Sequence, residues 1–298
     1  SAIGVAQTMD FLRKNYPHYI VFDRYRSVEL IEVPKNYVKK HYRPEERLKE
    51  IVDGARDPLE EQVLELATRI SEESGVPLEN FGVTGSILLK IHNLVYSDID
   101  LIVYGVENSY RVREAVKKLL DTPNSGFSRP MNEMLEEWAR DIVKIHPLTI
   151  EEAKLLYGKY KWNRALYKGR QFSLHPVKIE GEVDEKWEDK IIRPLGLAKI
   201  RARVIDSRDS IFMPAIYRVD NVRVIDGPTT PPKLIEYIVS YEGLYIDLAE
   251  NGEEIVAYGK LEMVEDIRRS EEYLQLAIGT FEAGGRDYIK PISWLSKT

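Results

Sequence analysis

Near Gln171 the hydrophobic period of the chain changes, and this change limits the fold more than any other feature. Upstream, apolar residues recur every three to four positions: Leu59, Val63, Leu66, Ala67 and Ile70, then Val112, Ala115, Val116 and Leu119, then Met134, Leu135, Trp138 and Ile142. Downstream they alternate, as in Phe172 and Leu174, then Ile200, Ala202 and Val204, then Val222 and Val224, then Ile255, Ala257 and Leu261. Turn dipeptides punctuate this second part at Asp226-Gly227, Glu242-Gly243, Asn251-Gly252 and Gly284-Gly285. The pattern predicts an α+β chain: a mixed sheet with helices, followed by a C-terminal antiparallel, barrel-like domain of OB-like or SH3-like type, with Asp226–Lys233 as a rigid loop within it. The expected boundaries are 1–56, an N-terminal strand pair and basic helical segment; 57–180, the helix-bearing domain; and 181–298, the β-rich domain.

Local signals sharpen the first two parts. Two strands are expected over Tyr19–Asp23 and Val28–Val33, and Pro44 introduces a helix carrying Leu48, Ile51 and Val52. Asp57 is the expected N-cap of the next helix, with Pro58 at its first position, Glu60 completing a capping box, and Gly75 and Pro77 ending it. Thr149 and Glu152 form a second capping box, for a helix that runs into the basic stretch ending at Lys168.

Composition narrows the chemistry. The sequence has 298 residues, is 43% hydrophobic and contains no cysteine, which leaves room for a sizeable core but excludes disulfides, zinc-thiolate sites and thiol catalysis. Its five histidines show no metal-ligand spacing, so a zinc enzyme is not expected, and no Walker A, GxGxxG or GxSxG pattern is present. No run approaches the roughly 20 apolar residues that span a bilayer, and no basic stretch leads into an apolar one at the start, so a soluble, cytoplasmic protein is expected. The 31% charged content fits a heat-adapted chain. A net charge of −6 argues against coating nucleic acid through the overall field. Lys35–Arg47 and Lys159–Arg170 interleave bases with Tyr and Trp, and each reads either as a site for an RNA acceptor or as a solvated helix face.

One constellation points to chemistry. An apolar strand, Asn80–Thr84, leads into Gly85-Ser86; after eleven intervening residues, Asp98 and Asp100 open a second apolar strand. Alternate side chains of a strand share a face, so the two carboxylates project together while Ile99, Leu101 and Val103 enter the core. Such a pair stays ionised when a cation neutralises it, and hard oxygen donors suit Mg²⁺ or Mn²⁺. Gly85 permits a sharp turn and close approach to a ligand, while the Ser86 hydroxyl stands where a phosphate can be met.

An apolar strand, Gly-Ser, a spacer, then Asp-x-Asp in a second apolar strand resembles the signature of the DNA polymerase beta-like nucleotidyltransferase superfamily. VTGSILLKIHN and SDIDLIVYG, with the basic helix and β-rich tail that follow, look like a group of archaeal predicted nucleotidyltransferases. The resemblance implies a nucleotidyltransferase-like mixed sheet and a Mg²⁺- or Mn²⁺-dependent two-metal transfer of a nucleoside monophosphate from a nucleoside triphosphate to a hydroxyl of RNA, a protein or a small molecule. In this chain Gly85 and Ser86 would hold the triphosphate, and Asp98 and Asp100 the metals. The superfamily's third carboxylate, on a neighbouring strand, is assigned to Glu180 at the end of Gln171–Glu180, with Asp184 and Asp206 as weaker options. His92 and His175 read as phosphate or site neighbours, or as structural histidines.

Two other readings stand beside this one. A chain lacking the third acid would be a catalytically weak or inactive nucleotide- or RNA-binding module on the same fold. If the acids were solvated on an edge strand, away from any pocket, the protein would be structural.

Overall fold

The computed structural model describes residues 2–229, 231 and 234–295; of the Asp226–Lys233 loop, Thr230, Pro232 and Lys233 lie outside them. The chain begins with helix α1 (Ala2–Asn15) and an antiparallel pair, β1 (Ile20–Asp23) and β2 (Val28–Ile31). Next come α2 (Pro44–Asp53), α3 (Pro58–Ser74), β3 (Phe81–Val83), the short α4 (Gly85–Leu88), β4 (Ile99–Tyr104) and α5 (Val106–Asp121). They are followed by β5 (Phe127–Ser128), α6 (Asn132–Ile142), α7 (Ile150–Leu155), β6 (Arg164–Tyr167) and β7 (Arg170–Val177). Strands β8 (Lys190–Asp206), β9 (Ala215–Asp226), β10 (Ile235–Ser240), β11 (Glu254–Asp266), β12 (Glu271–Ile278) and β13 (Tyr288–Pro291) and the short helix α8 (Ile292–Leu295) complete the chain.

Two compact units result: residues 40–140 with 150–184, and residues 1–39 with 141–149 and 185–298. Of the stretch expected as one domain over 1–56, residues 1–39 therefore group with the C-terminal strands and the remainder with the central sheet.

The central unit holds a five-stranded mixed sheet in the order β3-β4-β7-β6-β5, in which β4 and β7 are parallel and the other pairs antiparallel. Along β4, Ile99, Leu101 and Val103 are fully buried and alternate with partly exposed residues. Each such burial contributes roughly 1.5–3 kcal/mol. Helix α5 packs on β4, β5 and β7, and α3, which buries Leu59, Val63, Leu66, Ala67 and Ile70, packs on α5 and α2. Asp57 caps α3 as expected, accepting from Leu59 N at 2.9 Å and Glu60 N at 3.0 Å, and Gly75 ends it in the left-handed conformation. The capping box takes another form: Glu60 accepts from Arg56 N at 2.9 Å, and its second oxygen pairs with Arg47, both side chains being buried. Arg47 also donates to Ile87 O at 3.0 Å, which joins α2 to the turn after β3. Helix α2 lies so close to β3 that a Cβ at Gly82 would stand 2.7 Å from the Pro44 ring.

The segment between α7 and β7 differs from expectation. The α-helix passes at Leu155 into a π-helical turn over Leu156–Tyr160, and Arg164–Tyr167 then forms a strand joined to β7 by a two-residue turn, Lys168-Gly169, whose φ angles are both positive. A periodicity reading misses this strand because Arg164 alone is exposed and Ala165, Leu166 and Tyr167 are all buried, leaving no alternation.

In the C-terminal unit, β8, β9, β10, β12 and β11 pair in that order, and β11 returns to β8, closing a five-stranded barrel with β13 added outside on β11. The barrel corrects the antiparallel expectation at one seam, where β10 and β12 run parallel, giving a Greek-key ring of the kind OB folds use. Ile200, Ala202, Val204, Ile255, Ala257 and Leu261 are buried as anticipated. On β9 the buried set is Ala215, Tyr217 and Val219, and Val222 and Val224 lie half-exposed beyond it. No helix among the described residues is long and apolar enough to cross a membrane.

Candidate active site

The site grows from the junction of β3 and β4. The Thr84 N–H donates to the Asp100 carbonyl at 2.8 Å, and Gly85 turns the chain at φ +65°. The backbone angle favours glycine, and a Cβ at this position would stand 2.5 Å from Asp100 Oδ2 and push that carboxylate aside. The Ser86 hydroxyl meets the Ser97 hydroxyl at 3.2 Å, and Ser97 Oγ accepts from Asn93 N at 2.9 Å. The Gly-Ser turn is thereby tied to the segment that delivers Asp98. Arg170 holds the same segment, donating to Ser97 O at 2.6 Å, Leu94 O at 2.8 Å and Gln62 Oε1 at 2.7 Å. Gly85, Ser86, Asp98 and Asp100 are thus brought together at one end of β4.

Strand register supplies the neighbours. Asp100 lies opposite Ser173 on β7, and Ser173 lies opposite Arg164 on β6. Ser173 Oγ donates to Asp100 Oδ1 and lies 2.8 Å from His175 Nε2, which is itself 3.7 Å from Asp100 Oδ1. Hydrogen bonding from His175, aided by Ser173, outweighs partial burial and holds the Asp100 carboxyl below its ordinary proton affinity. With its amide turned to satisfy both groups, Gln171 accepts from Arg164 at 2.7 and 3.1 Å. A pocket of about 420 Å³, lined in part by Asp98, Tyr96, Gln171, Gln62 and Lys168, opens beside these residues.

Glu180 is not brought to this site. Strand β7 ends at Val177, which pairs with Tyr104 at the far end of β4, and Glu180 begins an exposed turn beyond it. Glu182 of that turn accepts from Val106 N at 2.9 Å, which fixes it at the start of α5. At about 3.3 Å per residue, the four steps from Asp100 to Tyr104 already separate this end from the acids by roughly 13 Å. Asp184 is exposed further along the same segment, and Asp206 belongs to the barrel unit, paired with Arg208 at 2.6 Å. The position opposite Asp100 is occupied by a serine, with a histidine two residues on. Strand alternation points to this pair, since Gln171, Ser173 and His175 share one face of β7.

His92 is a structural histidine. Its Nε2 lies 2.9 Å from Asp57 Oδ2, and the side chain is 9% exposed. Among the described residues, Asp57, Glu60 and His92 are the acid and imidazole groups whose ligand atoms already lie within 4.8 Å of one another. Asp57 caps a helix and Glu60 pairs with Arg47, so their donor atoms are engaged in holding α3.

The basic segments divide in the same way. Arg47 is buried against Glu60, Arg170 is fixed on backbone carbonyls, Lys168 pairs with Glu65, and Trp162 and Tyr167 are core residues. Tyr37 and Tyr42 remain exposed, and Arg164 faces the acid row.

No family model matches the chain, and no solved structure is significantly similar to it. It is 35% identical over 283 residues to a protein of Methanocaldococcus jannaschii described as uncharacterized protein MJ1086, a match covering 94% of this chain and 79% of that one. The acid row and its glycine turn therefore stand in a chain that belongs to the family of MJ1086.

Proposed function

We propose that the protein is a nucleotidyltransferase that moves a nucleoside monophosphate from a nucleoside triphosphate to a hydroxyl acceptor. The observation that carries this reading is the interlock of Gly85 with Asp100, in which the backbone turn and the acid occupy space that no side chain at position 85 would leave open. Asp98 and Asp100 offer hard oxygen donors suited to Mg²⁺ or Mn²⁺, and the lowered proton affinity of Asp100 keeps a charged donor available. The cation would neutralise triphosphate charge and favour attack at the α-phosphate. The Gly85 backbone and the Ser86 hydroxyl would position the triphosphate, with Arg164 as a cationic neighbour. The pocket beside Asp98 supports this reading by giving a substrate group room next to the acids. RNA is the acceptor we favour, with exposed Tyr42 and the barrel as candidate contacts.

The test is calorimetric titration with Mn²⁺ and a non-hydrolysable triphosphate, followed by incubation with labelled triphosphates, Mg²⁺ or Mn²⁺, and RNA. Asp98→Ala with Asp100→Ala is expected to lose cation-dependent binding at least tenfold. Unchanged binding in that variant would sink the proposal. A second reading, a binding module with weak or no turnover, is favoured by Ser173, rather than a carboxylate, standing opposite Asp100 on β7 while Glu180 lies beyond the far end of that strand. Retained triphosphate without label transfer identifies it.

A further inference from the structure

We infer that Tyr16, His18, Tyr19 and Tyr37 form a stacking platform for an unpaired nucleic-acid strand, with Lys14, Lys35 and Lys39 meeting its phosphates. Two single helical turns present the rings. In the first, Pro17–Tyr19, Tyr19 N donates to Tyr16 O at 3.0 Å; in the second, Lys35–Tyr37, Tyr37 N donates to Pro34 O at 2.8 Å. Glu32 N donates to Tyr19 O at 2.9 Å, which ties the chain entering the second turn to the first. His18 stands among the other rings, its centroid 4.3 Å from that of Tyr19, 5.4 Å from that of Tyr37 and 6.3 Å from that of Tyr16. Core packing does not account for the cluster, because Tyr16 is 47% and Tyr37 58% exposed, and His18 is exposed beside them. Rings fixed by local backbone bonds yet left open to water form a surface ready for a partner.

Charge selects the partner. Of the acids in residues 10–39, Asp10 and Glu29 pair with Arg13 at 2.8 and 2.6 Å, and Asp23 accepts from Trp187 Nε1, which leaves Glu32. Among the described residues, Lys14, Lys35 and Lys39 form no ion pair, and all three are exposed. Lysine is depleted where proteins meet proteins, whereas aromatic rings interleaved with free cations suit a strand whose bases stack and whose phosphates are neutralised. Stacking is tolerant of sequence, because every base has a π-face. The platform goes beyond the transfer reading and does not depend on it: a strand held here would serve a transferase or a binding module equally.

Fluorescence anisotropy of the full-length protein with labelled oligouridylate, oligothymidylate and a duplex tests the assignment. Both single strands are expected to bind more tightly than the duplex, and Tyr16→Ala with Tyr37→Ala to weaken them at least tenfold. Tyr16→Phe with Tyr37→Phe keeps the rings and should bind within about twofold of wild type. Lys35→Ala with Lys39→Ala should flatten the dependence of log affinity on log salt by roughly 0.7 for each lysine. In the wild type, photocrosslinking of a thiouridine-bearing strand is expected to label peptides containing Tyr16–Tyr19 or Tyr37. Duplex preference, undiminished binding by the alanine variant, equal losses in the alanine and phenylalanine variants, or crosslinks confined to other peptides each overturn the platform. Self-association that the alanine variant abolishes, with no strand binding in the wild type, would assign the surface to a second copy of the chain instead. The alanine variant is expected to bind Mn²⁺ and triphosphate as wild type does, so failure here leaves the reading of the acid row standing.

Discussion

At the level of single residues the site depends on what is missing at position 85. Backbone at φ +65° costs an L-residue roughly 1–2 kcal/mol, and a methyl group there also meets Asp100 Oδ2. Gly85→Ala is therefore expected to lower unfolding free energy by about 1–3 kcal/mol and to displace the carboxylate. Chemical denaturation would measure the first effect, and Mn²⁺ titration, with an expected loss of at least tenfold, the second. A variant with wild-type cation affinity would mean that the turn does not organise Asp100. The Arg47–Glu60 pair sets a different scale: both partners are buried, so removing either one leaves an uncompensated charge, at a cost of about 3–5 kcal/mol. It secures α2 and α3 behind the turn rather than taking part in the chemistry.

Among elements, the β6–β7 hairpin contributes most to the acid row. Its Arg170 clamps the segment 94–97 through two carbonyls, and Asp98 follows directly. Arg170→Met is expected to raise amide exchange across 94–98 and to weaken cation binding severalfold with little change in the sheet. Exchange no faster than wild type would remove Arg170 from this role. The hairpin also marks where reading the sequence stopped working. Strand β4 was legible because a continuous apolar run, Leu101 to Val103, follows Asp98 and Asp100, and α3 because Asp57 and Pro58 announce its start. Strand β6 was not, since its four residues, Arg164 followed by three buried ones, show no alternation and follow directly on a basic stretch. Glu180 was misassigned for another reason. It was chosen because Gln171–Glu180 is the next strand able to join the sheet, but only the register says which end of β4 that strand end meets.

Across the whole molecule, residues 1–39 group with strands far along the chain. Ile192 N donates to Tyr25 O at 2.6 Å, Trp187 Nε1 donates to Asp23 Oδ2 at 2.6 Å, and the Arg26 guanidinium lies 3.5 Å above the Trp187 ring. Arg26→Ala is expected to cost about 1 kcal/mol, to shift Trp187 emission, and to lower the melting transition of this unit without moving that of residues 40–140 and 150–184. Equal shifts in both transitions would argue against separable units. The pairing of Ser27 Oγ with Ile192 O has a consequence for biosynthesis, because the partners are 165 residues apart. At about 5–20 residues per second, a ribosome needs roughly 8–33 s to reach the second partner. The stretch that carries Gly85, Asp98 and His175 is translated entirely within that wait, so the acid row can assemble on the nascent chain while the first strands still lack their support.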